Sequence, residues 1–176
     1  MTKKFEFTGE TKTIQLVSRT VTLHRIRAVA EFGLIKVGDI GGWLEKEENL
    51  SQEGESWVYG DAEVYGDAEV YGNAKVLGNA KVLGNAEVYG NAEVYGNAEV
   101  FSASHVMVIG AIGSRSDFTT FYRGKDQQIM VKCGCFNGNI DEFINKVQET
   151  HGDNKYALVY RAAVEVAKLQ IKLDDE

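Results

Sequence analysis

Between Gly54 and Val100 the chain repeats every six residues, in the order Gly, Asn or Asp, Ala, Glu or Lys, Val, and Tyr or Leu. Within one hexad, Ala62 and Val64 lie two residues apart and therefore on the same side of an extended segment. Glu63 then faces the opposite side, and the glycine that opens the next hexad readily takes the positive φ of a sharp bend. Each hexad therefore predicts a short strand followed by a corner, and a fixed short period predicts a solenoid.

Three such corners are predicted to close one triangular coil. Residue i then stacks on residue i+18, about 4.8 Å away, and each strand pairs in parallel with the strand of the next coil. We expect a single-stranded left-handed parallel β-helix with about three regular coils.

The outward positions support this stacking, because they form ordered columns. One column carries Glu63, Lys81 and Glu99, and another pairs Lys75 with Glu93. Alternating charges of this kind favour one register over its neighbours.

Other outward columns are apolar. Their members are Tyr59, Leu77 and Tyr95; Tyr65, Leu83 and Phe101; and Tyr71, Tyr89 and Met107. Contiguous apolar surface marks an interface, which predicts a homotrimer, although aromatic residues also suit exposed strands for their own sake.

The segments on either side of the repeat follow other patterns. Residues 1–53 alternate in strand fashion and then fit the hexad loosely, with Ile40, Leu44 and Leu50 in the inward register. They predict an N-terminal β cap and an irregular first coil. Residues 54–107 make nine hexads and the regular β-helix, and residues 108–176 form a separate unit.

This last unit predicts a C-terminal α+β domain made of a β-hairpin and two helices. Residues 118–123 and 128–136 flank a turn. Asn139 can cap a helix that ends at His151-Gly152, and Asp153 or Asn154 can start a second. The expected buried positions are Ile140, Phe143, Ile144 and Val147 in the first helix, and Tyr156, Val159, Tyr160, Ala163, Val166 and Ala167 in the second. The fold class is therefore mainly β.

Composition narrows the class of protein. The net charge of −7 argues against general nucleic-acid binding. No stretch approaches the ~20 apolar residues of a membrane span, and the N-terminus lacks the apolar run of a signal peptide. We therefore expect a cytoplasmic protein.

Signatures of catalysis and of metal binding are sparse. Cys133 and Cys135 lie two apart, supply half of a tetrahedral zinc site, and are interpreted as buried reduced cysteines. No metal site is expected. His105 takes an outward position in the last hexad, either as a polar residue ending the ladder or as a general base. His151 suits the end of a helix.

Basic groups offer a ligand-binding hypothesis. Arginine forks and aromatic rings hold phosphates and bases, although surface ion pairs with the abundant acids also explain such groups. The candidate ligand-binding residues are Arg25, Arg27, Arg115, Tyr122, Arg123 and Lys125.

Motifs before the repeat carry a family resemblance. Leu23–Ala28, Phe32-Gly33, Gly38–Trp43 and Glu45–Ser51 resemble the segment that leads into the coils of hexapeptide-repeat proteins in bacteria and phages, usually labelled transferases. The similarity covers about residues 20 to 107. Tyr122–Asp126, Cys133–Phe136 and Glu149–Asn154 resemble a small domain attached to such repeats in phages of Gram-positive hosts.

The resemblance implies a phage or prophage origin and leaves three functions open. The first is a non-catalytic oligomeric binding protein, without a cofactor, that counters host defence by sequestering a nucleotide-like signal or blocking a host protein. The second is a coenzyme A-dependent hexapeptide acyltransferase, with His105 as its base. The third is a structural or assembly protein. The sequence contains few signatures of catalysis, and this favours the first function.

Overall fold

The structure, a computed structural model, describes residues 3–174. At the N-terminus, β1 (Phe5–Gln15) and β2 (Thr20–Ala28) form an antiparallel hairpin, and β3 (Ile40–Leu44) pairs antiparallel with β2. These three strands are the predicted cap sheet.

The hexads form a β-solenoid of about three turns, as predicted. Each hexad contributes a strand of two residues: β4 (Trp57–Val58), β5 (Glu63–Val64), β6 (Glu69–Val70), β7 (Lys75–Val76), β8 (Lys81–Val82), β9 (Glu87–Val88), β10 (Glu93–Val94) and β11 (Glu99–Val100). Strands that are 18 residues apart pair in parallel. This confirms the i+18 register.

The solenoid has three faces. The first face carries β3, β5, β8 and β11, and the cap hairpin extends the same sheet. The second face carries β4, β7 and β10, and the third face carries β6 and β9.

Small side chains fill the interior, as the alternation predicts. The alanine and valine of every regular hexad are buried against one another in the main core. The corner glycines from Gly60 to Gly96 have φ between 58° and 74°. Backbone bonds join successive coils: Glu63 N–H donates to the Ala80 carbonyl at 2.9 Å.

The charge columns lie in the predicted register, but opposite charges within a column do not always form an ion pair with each other. Lys75 Nζ lies 3.1 Å from Glu93 Oε1. Glu63 stands beside Lys81 in the sheet, yet its carboxylate pairs at 2.8 Å with Lys12 of the cap hairpin.

The irregular first coil departs from expectation at one position. Leu44 and Leu50 are buried as predicted, but the inward placement of Ile40 is wrong, because 52% of this residue is exposed. The pairing of β2 with β3 shifts between Arg25 and Arg27, where β3 holds an extra residue. A bulge of this kind reverses the alternation, which turns Ile40 outward.

The C-terminal unit contains a four-stranded antiparallel sheet, so the predicted two-stranded hairpin was incomplete. Its order is β12 (Val106–Ile112), β13 (Asp117–Arg123), β14 (Ile129–Cys133) and β15 (Phe136–Asn139). A turn at Gly134, where φ is 55°, divides the predicted strand 128–136 into two. The ninth hexad was also mispredicted, because Val106 and Met107 open β12 and pair antiparallel with β13.

Two helices follow the sheet where the caps predicted them. The first is α1 (Ile140–His151), capped by Asn139, and the second is α2 (Lys155–Gln170), capped by Asn154. The predicted face of α1 is confirmed, with Phe143 and Val147 buried.

On α2 the predicted burial of Val159 and Val166 is wrong. Both are exposed, whereas Ala157 and Val164 are buried beside Tyr160, Ala163 and Ala167. Each exposed valine directly precedes a buried residue and therefore points about 100° away from it. Packing against α1 and β12 selects the face that is buried.

The C-terminal sheet lies between the solenoid and the helices. Tyr122 belongs to the main core, whereas its neighbour Phe121 belongs to a second core with Phe143 and Tyr160. Thr120 Oγ1 also accepts a bond from Glu93 N–H of the second face, at 3.0 Å. Among residues 3–174, no helix has the length and apolarity needed to cross a bilayer.

Candidate functional site

A cavity of about 470 Å³ opens where two turns of the C-terminal sheet meet the helices. One turn joins β12 to β13, and the other joins β14 to β15. The two turns lie at the same end of the sheet, because the first and third turns of an antiparallel sheet connect its strands at the same end. We call this space the helix cavity. It is lined by Ser114, Arg115, Asp117, Cys133, Gly134, Cys135, Phe136, Asn137, Phe143, Lys146, Val147, Thr150, His151 and Tyr160.

Aromatic rings form much of the cavity wall. The Phe143 ring lies 5.2 Å from that of Phe136 and 5.5 Å from that of Tyr160, centroid to centroid. Val147, one turn further along α1, is also buried in this core. A wall of this composition accommodates an apolar or planar part of a ligand.

Tyr160 is the polar centre of the wall. The Cys133 thiol donates toward its hydroxyl at 3.9 Å, and Thr119 Oγ1 donates to the Cys133 sulfur at 3.2 Å. A Cβ at Gly113 would lie 1.9 Å from the Tyr160 hydroxyl, so only glycine leaves room for it. Burial raises the pKa of Tyr160 to about 12, so the phenol stays protonated further into the alkaline range than an ordinary tyrosine does.

The rim of the helix cavity is rich in basic groups. Arg115 is exposed and, within residues 3–174, forms no ion pair. Lys146 pairs with Glu149 at 3.2 Å, and the His151 ring stacks on Tyr160 with centroids 5.8 Å apart. Only Asp117 contributes a carboxylate to the lining. This rim suits an anionic group.

A second space, the polar groove, has a volume of about 430 Å³ and shares Asp117 and Gly134 with the helix cavity. It runs between the second face of the solenoid and the C-terminal sheet. Its lining consists of Glu55, Asn73, Lys75, Asn91, Glu93, Asp117, Phe118, Thr120, Lys132 and Gly134. The lysines are already compensated, because Glu93 lies 3.1 Å from Lys75 and 3.7 Å from Lys132.

The structure does not bring the six predicted ligand-binding residues together. Arg25 and Arg27 lie in the cap sheet. The Arg25 guanidinium contacts Asp61 at 3.1 Å and lies 4.9 Å from the centre of the Trp43 ring, and its bond holds the pKa of Asp61 below its usual value. Arg27 forms an ion pair with Glu6.

Three further candidates belong to β13 and its turn, and two of them are buried. Tyr122 packs in the main core, and its hydroxyl donates to Asn137 Oδ1 at 3.0 Å. Arg123 is also buried; its Nε donates to the Leu173 carbonyl at 3.1 Å, and its guanidinium lies 4.8 Å from the centre of the Phe101 ring. The expectation that both face a ligand is therefore corrected. Lys125 is exposed.

The predicted outward position of His105 is also wrong. Only 5% of the residue is exposed, its Nδ1 accepts a bond from Phe101 N–H at 3.1 Å, and its ring packs edge-on against Phe101. The reason is that the chain leaves the solenoid here through a short 3₁₀ turn at Ala103–His105. Because its Nδ1 already accepts a hydrogen bond and its ring is buried, His105 is a poor general base.

The two cysteines occupy different environments, so the interpretation of both as buried residues was wrong. Cys133 ends β14 and is half-buried, whereas Cys135 lies in the following turn and is exposed. Both thiols are free. No cluster of three metal-ligating side chains occurs within the described residues.

Sequence reasoning nominated one member of the helix cavity, Arg115, as a ligand-binding residue, and missed the group formed by Cys133, His151 and Tyr160. The available signal was the pair of glycine-containing turns at Gly113 and Gly134. The two turns indicate a common site only when β12 is known to belong to the sheet, because only then do both turns lie at the same end of it.

Comparison with known proteins yields one partial similarity. No family model matches the chain. A segment of 41 residues is 39% identical to a protein of Escherichia coli (strain K12) named "Uncharacterized acetyltransferase YdcK". The segment makes up 23% of this chain and 13% of that protein. The similarity is therefore confined to one segment of each protein.

Proposed function

We propose that this protein is an acyltransferase that takes its acyl group from a coenzyme A thioester bound in the helix cavity. The observation that carries the proposal is the meeting of a histidine, a protonated phenol and a basic rim around one apolar-walled cavity. The segment similar to a protein named as an acetyltransferase supports the same class of reaction. The solenoid serves as the scaffold.

The residues of the cavity fit such a donor. Arg115 and Lys146 at the rim are placed to bind phosphate groups, and the rings of Phe136 and Phe143 offer an apolar wall. When bound, the thioester supplies the activated acyl group.

Two side chains have catalytic roles in this proposal. His151 accepts the proton of an amine or hydroxyl acceptor, as a general base does. The protonated Tyr160 hydroxyl donates a hydrogen bond to the negative charge that develops on the carbonyl oxygen. Stacking of His151 on Tyr160 keeps the two groups beside each other.

Calorimetric titration with acetyl-coenzyme A, joined to an assay of thiol release with amine acceptors, tests the proposal. Arg115→Ala should weaken binding about 10-fold, which is about 1.4 kcal/mol. His151→Ala should keep the affinity and slow turnover by roughly 10²–10⁴-fold. His24→Ala, which changes a histidine of the cap sheet, is the matched control and should leave both unchanged. Absence of binding by the wild-type protein would dismiss the proposal.

A second candidate is a non-catalytic phage-type protein that sequesters a nucleotide-like signal or blocks a host defence protein. Burial of His105 favours it over an acyltransferase whose site lies on the repeat, because the repeat then has no histidine on its outer surface. The basic rim and aromatic wall of the helix cavity suit a nucleotide equally well. This candidate predicts tight binding of nucleotides without turnover, and protection of phage growth in defended hosts. If the protein binds no nucleotide and does not protect phage growth, this candidate is excluded.

A homotrimer, which could also act as a structural or assembly element, is proposed as the quaternary state. The apolar surface available for contact between copies is smaller than the sequence indicated, because Tyr65 of the aromatic columns is buried beneath the chain's own hairpin. Leu158 and Leu169 of α2 are exposed apolar residues outside the hexads and offer a contact surface between copies. Light scattering should give the mass of three chains, and a monomer would contradict this proposal.

A further inference from the structure

The third face of the solenoid differs from the other two in the order of its outward residues. On the first and second faces a rung with Lys and Leu lies beside a rung with Glu and Tyr, as Lys81 and Leu83 beside Glu63 and Tyr65 illustrate. On the third face, by contrast, both rungs are the same: Glu69 and Tyr71, followed by Glu87 and Tyr89.

This arrangement costs stability. Glu69 lies directly opposite Glu87 in the parallel pair, and like charges in that position repel. Within residues 3–174, neither carboxylate forms an ion pair; Glu87 accepts a hydrogen bond from the Tyr71 hydroxyl at 2.7 Å. Because the same hexad carries lysine elsewhere, the fold does not require two acids here.

The third face is also the one that the rest of the chain covers least, although β12 and Gln170 of α2 border it. The cap hairpin lies over the first face, where Lys12 contacts Glu63 and the Trp43 ring. The C-terminal sheet lies over the second, through Thr120 and Lys132. On the third face both glutamates are exposed, and Tyr89 is 53% exposed.

The two tyrosines form a stacked pair beside the acids, in which each ring keeps one face that the other ring does not cover. Their rings stack with centroids 5.3 Å apart and planes 9° from parallel. A groove of about 360 Å³ adjoins Glu87 and Tyr89 and continues along Val106 and Val108. Acid beside an aromatic ring is the combination that an arginine side chain recognises, because its planar guanidinium can stack and form a forked bond together.

We propose that the third face is a docking surface for an arginine-bearing segment of another protein. The chain pairs the same groups internally, where Arg25 lies 4.9 Å from the Trp43 ring and 3.1 Å from Asp61. Charge argues against a second copy as the occupant, since two third faces would oppose four carboxylates, and the chain carries a net charge of −7. An arginine-bearing partner removes the repulsion between Glu69 and Glu87.

Fluorescence anisotropy with a labelled peptide of alternating arginine and serine tests this surface on the full chain. The E69K/E87K variant reverses the charge of this face and should lose at least about 10-fold in affinity. Tyr89→Ala should also weaken binding. The matched control, E10K/E31K, makes the same change in charge at exposed acids elsewhere and should bind nearly as the wild type does.

Other outcomes overturn the proposal. Equal losses in E69K/E87K and E10K/E31K would show attraction by net charge alone. Equal binding of a lysine–serine peptide would show that the stacked tyrosines add nothing. A wild-type oligomer that dissociates only in E69K/E87K would identify a second copy as the occupant. Both double variants should keep the urea midpoint of the wild type, as surface changes usually do.

Discussion

Gly84 and Gly90 hold the same place in successive hexads, with φ of 66° and 63°, but their surroundings differ. A Cβ at position 84 would lie 2.4 Å from the Phe101 carbonyl oxygen, whereas a Cβ at position 90 meets nothing within 4 Å. Gly90→Ala should therefore cost the roughly 1–2 kcal/mol of a left-handed residue. Gly84→Ala should cost clearly more, because the backbone must also move. Urea unfolding measures both, and equal losses would contradict the close stacking at this corner.

Tyr122 provides a prediction for alkaline pH at the same scale. Burial raises its pKa to about 12 in the folded protein, against about 10 in an unfolded chain. Between these values the folded state holds the proton more tightly, so its contribution to stability is complete below pH 10 and is lost as pH rises toward 12. From pH 8 to pH 11 the wild type should lose roughly 1.4 kcal/mol more than Tyr122→Phe. Parallel urea curves for the two proteins would contradict this.

At the scale of elements, the two helices start at asparagines with matching geometry. Asn139 Oδ1 accepts from the amides of Asp141 and Glu142, and Asn154 Oδ1 accepts from those of Tyr156 and Ala157. Asn139→Ala and Asn154→Ala should each destabilise the protein by about 0.5–2 kcal/mol. Asn145→Ala, at an exposed position inside α1, is the control and should be neutral or slightly stabilising. Circular dichroism in urea follows the effect, and three equal results would refute the role of the caps.

At the scale of the whole molecule, the main core joins the cap, the coils and the C-terminal sheet, and the second core joins that sheet to the helices. The main core runs from Phe5 in the cap through the alanines and valines of the coils to Tyr122 in the C-terminal sheet. Both tryptophans, Trp43 and Trp57, lie near the N-terminal end, whereas the two α-helices are C-terminal. Tryptophan fluorescence and helical circular dichroism should therefore report coincident transitions in urea. Separate transitions would mean that the solenoid unfolds piecewise, as repeat arrays can.

Prediction from sequence succeeded where neighbouring residues decide the outcome. Inward Ala62 and Val64 follow from alternation, and the ends of α1 follow from Asn139 and Gly152. It failed where distant segments decide. Ile40 depends on the pairing of β3 with β2, and the buried face of α2 depends on what packs against it.

The sequence by itself determined the solenoid, its 18-residue register and the contents of its interior, because the same short-range pattern repeats in each hexad. Only the tertiary structure decided that Arg123 and His105 are buried, that Arg115, His151 and Tyr160 share a cavity, and that one face with two acids and two tyrosines is covered least. Each of these features arises from contact between segments far apart in the chain, and no local spacing encodes such contacts.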